Sequence, residues 1–213
     1  MAWYLYARLF RNRLIDAMAG SLTLEGKHGK LAEKMLQAIA NVLEKANIDY
    51  ILDGGTLLGV VREKRLLPWD TDIDLSIRAD QAEKFVRNRW KLWLKGYRTR
   101  VRYFKEDIGP FKKGDIRIIK IQTHFMFIKR HDVADVFVKH KFGDEYLNVV
   151  GNEPPIFWSF PVKFLEQYDT LELNKRQYMV PKDYTEYLTL LYGDWITPVK
   201  EWNYKTDMKC VRA

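Results

Sequence analysis

The sequence predicts an α+β domain, a mixed β-sheet flanked by helices. Three observations carry this. Residues 30–47 repeat apolar positions at helical spacing, through Leu31, Met35, Ile39, Val42, Leu43 and Ala46. Two short apolar runs, Tyr50-Ile51-Leu52 and Ile73 to Ile77, read as strands, the first ended by Gly54-Gly55. The middle of the chain is rich in Ile, Val, Phe and Tyr and reads as extended at about 97–104, 116–122, 125–129 and 133–138. Helix, strand, helix, strand, helix and then a run of strands is an α+β order rather than a regular βαβ alternation.

Taken in order, residues 3–18 read as a helix whose broad apolar side holds Trp3, Tyr6, Leu9, Phe10, Leu14 and Met18. Such a face docks on the core or rests on a membrane surface, and the lack of lysines on its polar side favours the core. Gly26–Gly29 breaks the chain before the 30–47 helix. Thr56 is placed to cap a brief helix over Leu57–Val61, and Leu66 to Asp70 is a loop around Pro68. Asp80 is placed to cap a third helix running to about Leu94. Lys105–Asp115, with Gly109-Pro110 and Gly114, is a loop, and 151–180 hold turns and short strands. Pro181 opens a last helix through Leu191, closed by Gly193.

With 213 residues, no repeat and no Gly/Ser linker, the whole of 1–213 is expected to form a single domain with a helical segment over 1–20. Hydrophobic residues at 47% and charged residues at 30% exclude a disordered chain, and no apolar run approaches a membrane span. Arg8, Arg11, Arg13 and Asp16 interrupt the first twenty residues, so these do not read as a signal peptide. One cysteine, Cys210, offers neither an intrachain disulfide nor metal-ligand spacing, which points to a reducing, cytoplasmic setting. The aromatics, 14% of residues, suit a large core before they suit a ligand pocket. The formal charge of +8 suits a nucleotide donor, an anionic membrane surface or nucleic acid.

The chemistry is concentrated in Leu52-Asp53-Gly54-Gly55-Thr56-Leu57-Leu58-Gly59 and Pro68-Trp69-Asp70-Thr71-Asp72-Ile73-Asp74-Leu75. Asp72 and Asp74 stand two apart at a strand's start, so their carboxylates point to one face and Ile73 to the other. Side by side they repel, and burying them without a cation is costly. A hard divalent cation resolves this, since Mg²⁺ is commonly held by one or two carboxylates plus substrate phosphates. Asp70 adds a supporting negative charge. Gly54-Gly55 lets backbone approach a phosphate without a Cβ in the way, and amides at the following helix start, from Thr56 on, would face the anion. Arg62, Lys64 and Arg65 are candidates for the remaining phosphate charge. Trp69, inside the acidic loop, either stacks on a base or cationic headgroup or plugs the loop from beneath. A Gly-Gly turn alone is usually a tight turn and an Asp-x-Asp pair a solvated loop; both together, each bordering a strand, favour a site.

Gly-Gly after a strand followed by Asp-Ile-Asp on the next resembles the signature of the nucleotidyltransferase fold shared with DNA polymerase beta. Sixteen residues separate Gly55 from Asp72, and this spacing, with Asp53-Gly54-Gly55-Thr56-Leu57-Leu58-Gly59-Val60-Val61-Arg62 and Leu67-Pro68-Trp69-Asp70-Thr71-Asp72-Ile73-Asp74, resembles the LicD family of phosphocholine and fukutin-type ribitol-phosphate transferases. Val180-Pro181-Lys182-Asp183-Tyr184-Thr185-Glu186-Tyr187-Leu188, with Leu191-Tyr192-Gly193-Asp194-Trp195, is similar to the family's C-terminal segment. Where the family often has two consecutive aspartates, this chain has Asp70-Thr71, which leaves Asp72 and Asp74 in place.

The resemblance implies a polymerase-beta-like fold and a Mg²⁺- or Mn²⁺-dependent transferase. Its donor would be CDP-linked and its acceptor a glycan or glycolipid. It also implies a third metal carboxylate from a later strand. Asp135, in Val133-Ala134-Asp135-Val136-Phe137, is the best candidate, because an acid within an apolar run is expensive without a partner. A structural ion pair to a lysine or arginine is the alternative, and Asp132 a competing choice. His28, His124, His131 and His140 have no ligand spacing. Transfer of NMP from an NTP is the second reading on the same fold. A nucleic-acid-binding module is the third, disfavoured because the acidic cluster is complete and the lysines and arginines read as scattered. Peripheral contact with the inner face of an anionic membrane stays open beside the cytoplasmic setting.

Overall fold

The computed structural model describes residues 23–125, 128–151, 154–199, 202–203 and 206–212. The expected helix over 3–18 and the side chains of His124, His131 and Asp132 lie outside the described residues.

Helix α1 (Lys27–Lys45) places Met35, Leu36, Ile39 and Leu43, all without solvent exposure, on one face against the sheet. Each such side chain contributes about 1.5–3 kcal/mol by leaving water. Asn47, in the left-handed region at φ 48°, turns the chain into β1 (Tyr50–Leu52). The brief helix expected after it, α2 (Gly54–Glu63), begins three residues earlier than Leu57. Its N-cap is Asp53, whose carboxylate accepts from the Gly54 N–H at 2.8 Å, and not Thr56. Thr56 is drawn inward because its hydroxyl accepts instead from the Asp74 N–H at 2.8 Å.

Strand β2 (Ile73–Arg78) runs directly into α3 (Ala79–Asn88), so Asp80 lies in the first turn and Arg78 occupies the cap position. The single helix expected to Leu94 is two, α3 and the short α4 (Trp90–Trp93). Strands β3 (Tyr97–Tyr103) and β4 (Ile116–Phe125) follow. The two extended runs predicted over 125–129 and 133–138 belong mostly to one strand, β5 (Ile128–Phe142). β6 (Glu145–Val150), for which the sequence carries no clear strand signal, and β7 (Ile156–Pro161) extend the sheet from its end. A short helix α5 (Lys163–Glu166) leads to the hairpin β8 (Tyr168–Leu173) and β9 (Arg176–Pro181). Pro181 ends β9 rather than opening the last helix; α6 (Tyr184–Tyr192) starts after Asp183 and stops at Gly193, φ 70°, as expected.

The main sheet has the order β1-β2-β5-β4-β3. β2 and β5 are parallel and the other neighbours antiparallel, so the sheet is mixed, as predicted. A second small core, Phe104, Phe111, Leu147 and Val149, fills the space under the 105–115 loop, with Phe104 and Phe111 stacked at 4.7 Å.

Candidate active site

Register decides what the site contains. Asp74 on β2 is opposite Asp135 on β5; Asp135 is opposite Lys120 on β4; Lys120 is opposite Arg100 on β3. In-register residues of neighbouring strands share a face. A row of two acids followed by two bases therefore crosses four strands on one side of the sheet. Asp72, in the bend just before β2, lines the same cavity as Asp74, and its charge acts on the Asp74 carboxyl.

Asp74 is the most strained of these acids. Burial first, and then the charges of Asp72, Asp70, Asp135 and Asp53, push its carboxyl well above the ordinary range. Burial also raises Asp70, against donation from the N–H groups of Thr71 and Asp72. Asp135 is buried and both its oxygens accept from the Lys120 ammonium, at 2.9 and 2.7 Å. The ion pair weighed from sequence is thus present, while register keeps Asp135 beside Asp74. Among the described residues no three acidic, histidine or cysteine side chains already converge as a metal cage. The chemistry of the set fits a hard divalent cation through Asp72 and Asp74: two anionic oxygen donors lining one cavity, Asp74 destabilised by its like-charged neighbours. Asp135 would join them on leaving Lys120.

The glycine pair packs against these acids. Gly54 has φ 51°, and a Cβ there would sit 2.5 Å from Asp74 Oδ2. A Cβ at Gly55 would collide with the Asp70 carboxylate. The absent side chains thus admit the carboxylates to the positive end of α2, a role the sequence reading gave to a phosphate.

Beneath the turn lies a buried polar cluster that sequence reasoning missed. Asp53 accepts from the Lys139 ammonium at 2.8 Å, from the Tyr187 hydroxyl at 2.7 Å and from the Ser76 hydroxyl. Burial alone would raise the Asp53 carboxyl. The Lys139 charge and these hydrogen bonds outweigh it and hold Asp53 below its ordinary value, so it is ionised. Lys139, 1% exposed, also lies 3.5 Å from the centre of the Phe160 ring. The available signal was a lysine at the end of the apolar run Val136-Phe137-Val138, the same argument that singled out Asp135.

A cavity of about 1210 Å³ opens over the acidic row. Gly54, Gly55, Arg62, Trp69, Asp70, Asp72, Asp74 and Asp135 reach it, together with Lys120 and Tyr192. Trp69 is 56% exposed, so it lines the wall rather than plugging the loop from beneath. Arg62 is fixed there by donating to the Trp195 carbonyl at 3.2 Å. Lys64 and Arg65 are not among the lining residues: Lys64 is the left-handed cap of α2, and Arg65 turns to Glu63 at 2.9 Å. Of the histidines, His28 is exposed, and His140 is a satisfied ring, bonded to the Ile116 carbonyl at 2.8 Å.

An acidic pair at the head of a central strand, facing a glycine-led helix start, defines a nucleotidyltransferase domain. The family model described as LicD/FKTN/FKRP, nucleotidyltransferase domain, matches residues 47–183, more than half of the chain, and the protein belongs to that family. The lipopolysaccharide cholinephosphotransferase LicD of Haemophilus influenzae is 46% identical over 43 residues, which are 20% of this chain and 16% of that protein. The human ribitol-5-phosphate transferase FKTN is 27% identical over 181 residues, 83% of this chain and 35% of its own length. The match thus spans little more than a third of the longer-matching relative. Among solved structures, the lincomycin-bound lincosamide antibiotic adenylyltransferase LnuA aligns at 18% identity and a TM-score of 0.44, over 73% of this chain and 84% of that one.

Proposed function

We propose that the domain transfers a phosphorylated alcohol, of the phosphocholine or ribitol-phosphate kind, from a CDP-linked donor to a hydroxyl of a glycan or glycolipid. The observation that carries the reading is the pair Asp72 and Asp74, with Asp74 strained by burial and its like-charged neighbours, lining a cavity that Arg62, Arg102 and Lys120 also line. The names of the relatives supply the transferred group and the acceptor class.

Asp72 and Asp74 would hold Mg²⁺ or Mn²⁺, with Asp135 as the third carboxylate. The ion would neutralise charge on the donor diphosphate and on the departing CMP. The chain's own residues do the rest. Arg62, held by the Trp195 carbonyl, presents positive charge to the phosphates, and the Lys120 ammonium becomes available to them once Asp135 turns to the ion. Trp69 offers a face for the base or for a cationic headgroup. The cavity exceeds the roughly 300–1,000 Å³ usual for one small ligand, which leaves room for donor and acceptor together.

The test is an assay of the purified protein with Mg²⁺ and a panel of CDP-alcohols. Release of CMP dependent on a glycan acceptor is the expected result. Pyrophosphate release from an NTP, with no CDP-alcohol consumed, would replace this reading by NMP transfer.

A further inference from the structure

The geometry points to a membrane-docking surface on α4 and the start of β3, built to bind a bilayer carrying anionic lipids. It is the exposed cluster of Trp90, Trp93 and Leu94 set among unpaired cations.

Charge is distributed differently from the scatter read along the sequence. Between Lys84 and Lys105 there are nine lysines and arginines and no acid. The rest of the chain holds 27 basic residues against 28 acidic ones, so this one segment supplies the whole positive excess. Elsewhere the cations are commonly paired, as Arg62 with Glu63, Arg176 with Glu44 and Lys163 with Glu186. Arg87, Arg89, Lys95 and Arg98 are all exposed and have no ion-pair partner among the described residues. A cluster of several cations beside an amphipathic turn is a feature that anionic lipid surfaces attract.

The apolar part of the surface is just as local. Leu92 is fully buried and fastens α4 to the core, while Trp90, Trp93 and Leu94 are 55, 63 and 65% exposed. Trp and Leu flanked by Lys and Arg are the composition that settles at the boundary between headgroups and acyl chains. Leu94 separates this partner from single-stranded nucleic acid. Bases stack on the two tryptophans, but a leucine gains little from them and much from lipid. A second copy of the chain fits poorly, because a two-fold contact would press like charges together. Strand β3 continues from the patch to the cavity, which Arg102 and Tyr103 line.

The proposal does not depend on the transferase reading, and its test reads binding alone. The full chain is sedimented with phosphatidylcholine vesicles, with and without phosphatidylglycerol. Binding is expected to the mixed vesicles at low salt, to weaken as salt rises, and to be weak on phosphatidylcholine alone. A Trp90→Ser/Trp93→Ser/Leu94→Ser variant and an Arg87→Glu/Arg89→Glu/Lys95→Glu variant should each lose at least about tenfold in partitioning. Both sets are exposed, and unchanged melting temperatures would confirm intact folds. The single Trp93→Ser variant serves in place of the first if it fails to fold. Absent binding to the mixed vesicles overturns the proposal. So does binding that either variant leaves unchanged, or single-stranded RNA binding that the variants abolish in a protein that ignores vesicles.

Discussion

Lys139 meets Asp53 across 2.8 Å in the core, and Tyr187 closes on the same carboxylate at 2.7 Å. The residue that caps the glycine-led helix is therefore held by a strand and by the C-terminal helix at once. The site rests on this anchor although no atom of it needs to touch substrate.

Removing one member should leave the other charge buried and uncompensated. Lys139→Met is expected to cost about 3–5 kcal/mol in urea unfolding. Tyr187→Phe, which deletes one hydrogen bond, should cost about 1 kcal/mol. Adding Asp53→Asn to Lys139→Met should recover part of the loss, since the orphaned charge is then gone. Additive losses in the double variant would show that the pair is not coupled.

Asp72→Asn or Asp74→Asn should abolish turnover and leave the fold intact. Asp74 bears burial and four like charges, so neutralising it should leave the metal-free melting temperature unchanged or slightly higher. Near-normal CMP release from either purified variant would remove the metal assignment.

Asp135 is tied to Lys120 and stands in register with Asp74, so its two roles separate experimentally. As a ligand it makes Asp135→Ala depress activity sharply and raise the Mg²⁺ concentration for half-maximal rate. Lys120 is 26% exposed in its side chain and can turn to water, so metal-free destabilisation should be modest. A large drop in melting temperature with unchanged Mg²⁺ dependence would make Asp135 a structural ion-pair partner only.

A methyl group at either glycine should act through the acids it meets. Gly54→Ala faces both φ 51° and the Asp74 carboxylate and should lose more than about 1 kcal/mol. Gly55→Ala drives Asp70 from its place and should weaken donor binding, measured by calorimetry in Ca²⁺. Adding Asp70→Ala should restore the melting temperature of Gly55→Ala. Donor affinity equal to the parent's in Gly55→Ala would reduce this glycine to a turn residue.

Cys210 is buried, and burial pushes its thiol from an ordinary 9.0 up to about 12. It should resist iodoacetamide near neutral pH until the chain unfolds, which makes alkylation a readout of unfolding. The sign of its pH effect follows from the raised folded value. The native state keeps the proton longer than the unfolded chain, so this group's contribution is complete below about pH 9 and is lost as pH rises toward about 12. Rapid alkylation of the native protein near neutral pH would contradict the burial.

The sequence by itself determined the fold class, the two strands that frame the site, the nearness of Asp72 and Asp74 at the head of the second, and the glycines beside them. These are local properties, written in a period of two, in turn residues and in an apolar repeat, so they survive without knowledge of what packs where. It misplaced the cap of α2, because Asp53 and Thr56 are both good capping residues and only Asp74 decides between them. Tertiary structure alone decided which charges meet. Asp53 and Lys139 are 86 residues apart and Asp53 and Tyr187 134 apart. Lys120 reaches Asp135 through the register of β4 on β5, while Lys64 and Arg65, adjacent to the motif in sequence, stay out of the cavity. Coulombic interaction and desolvation act through space and depend on burial, and both are fixed only when distant strands pair and the core closes over them.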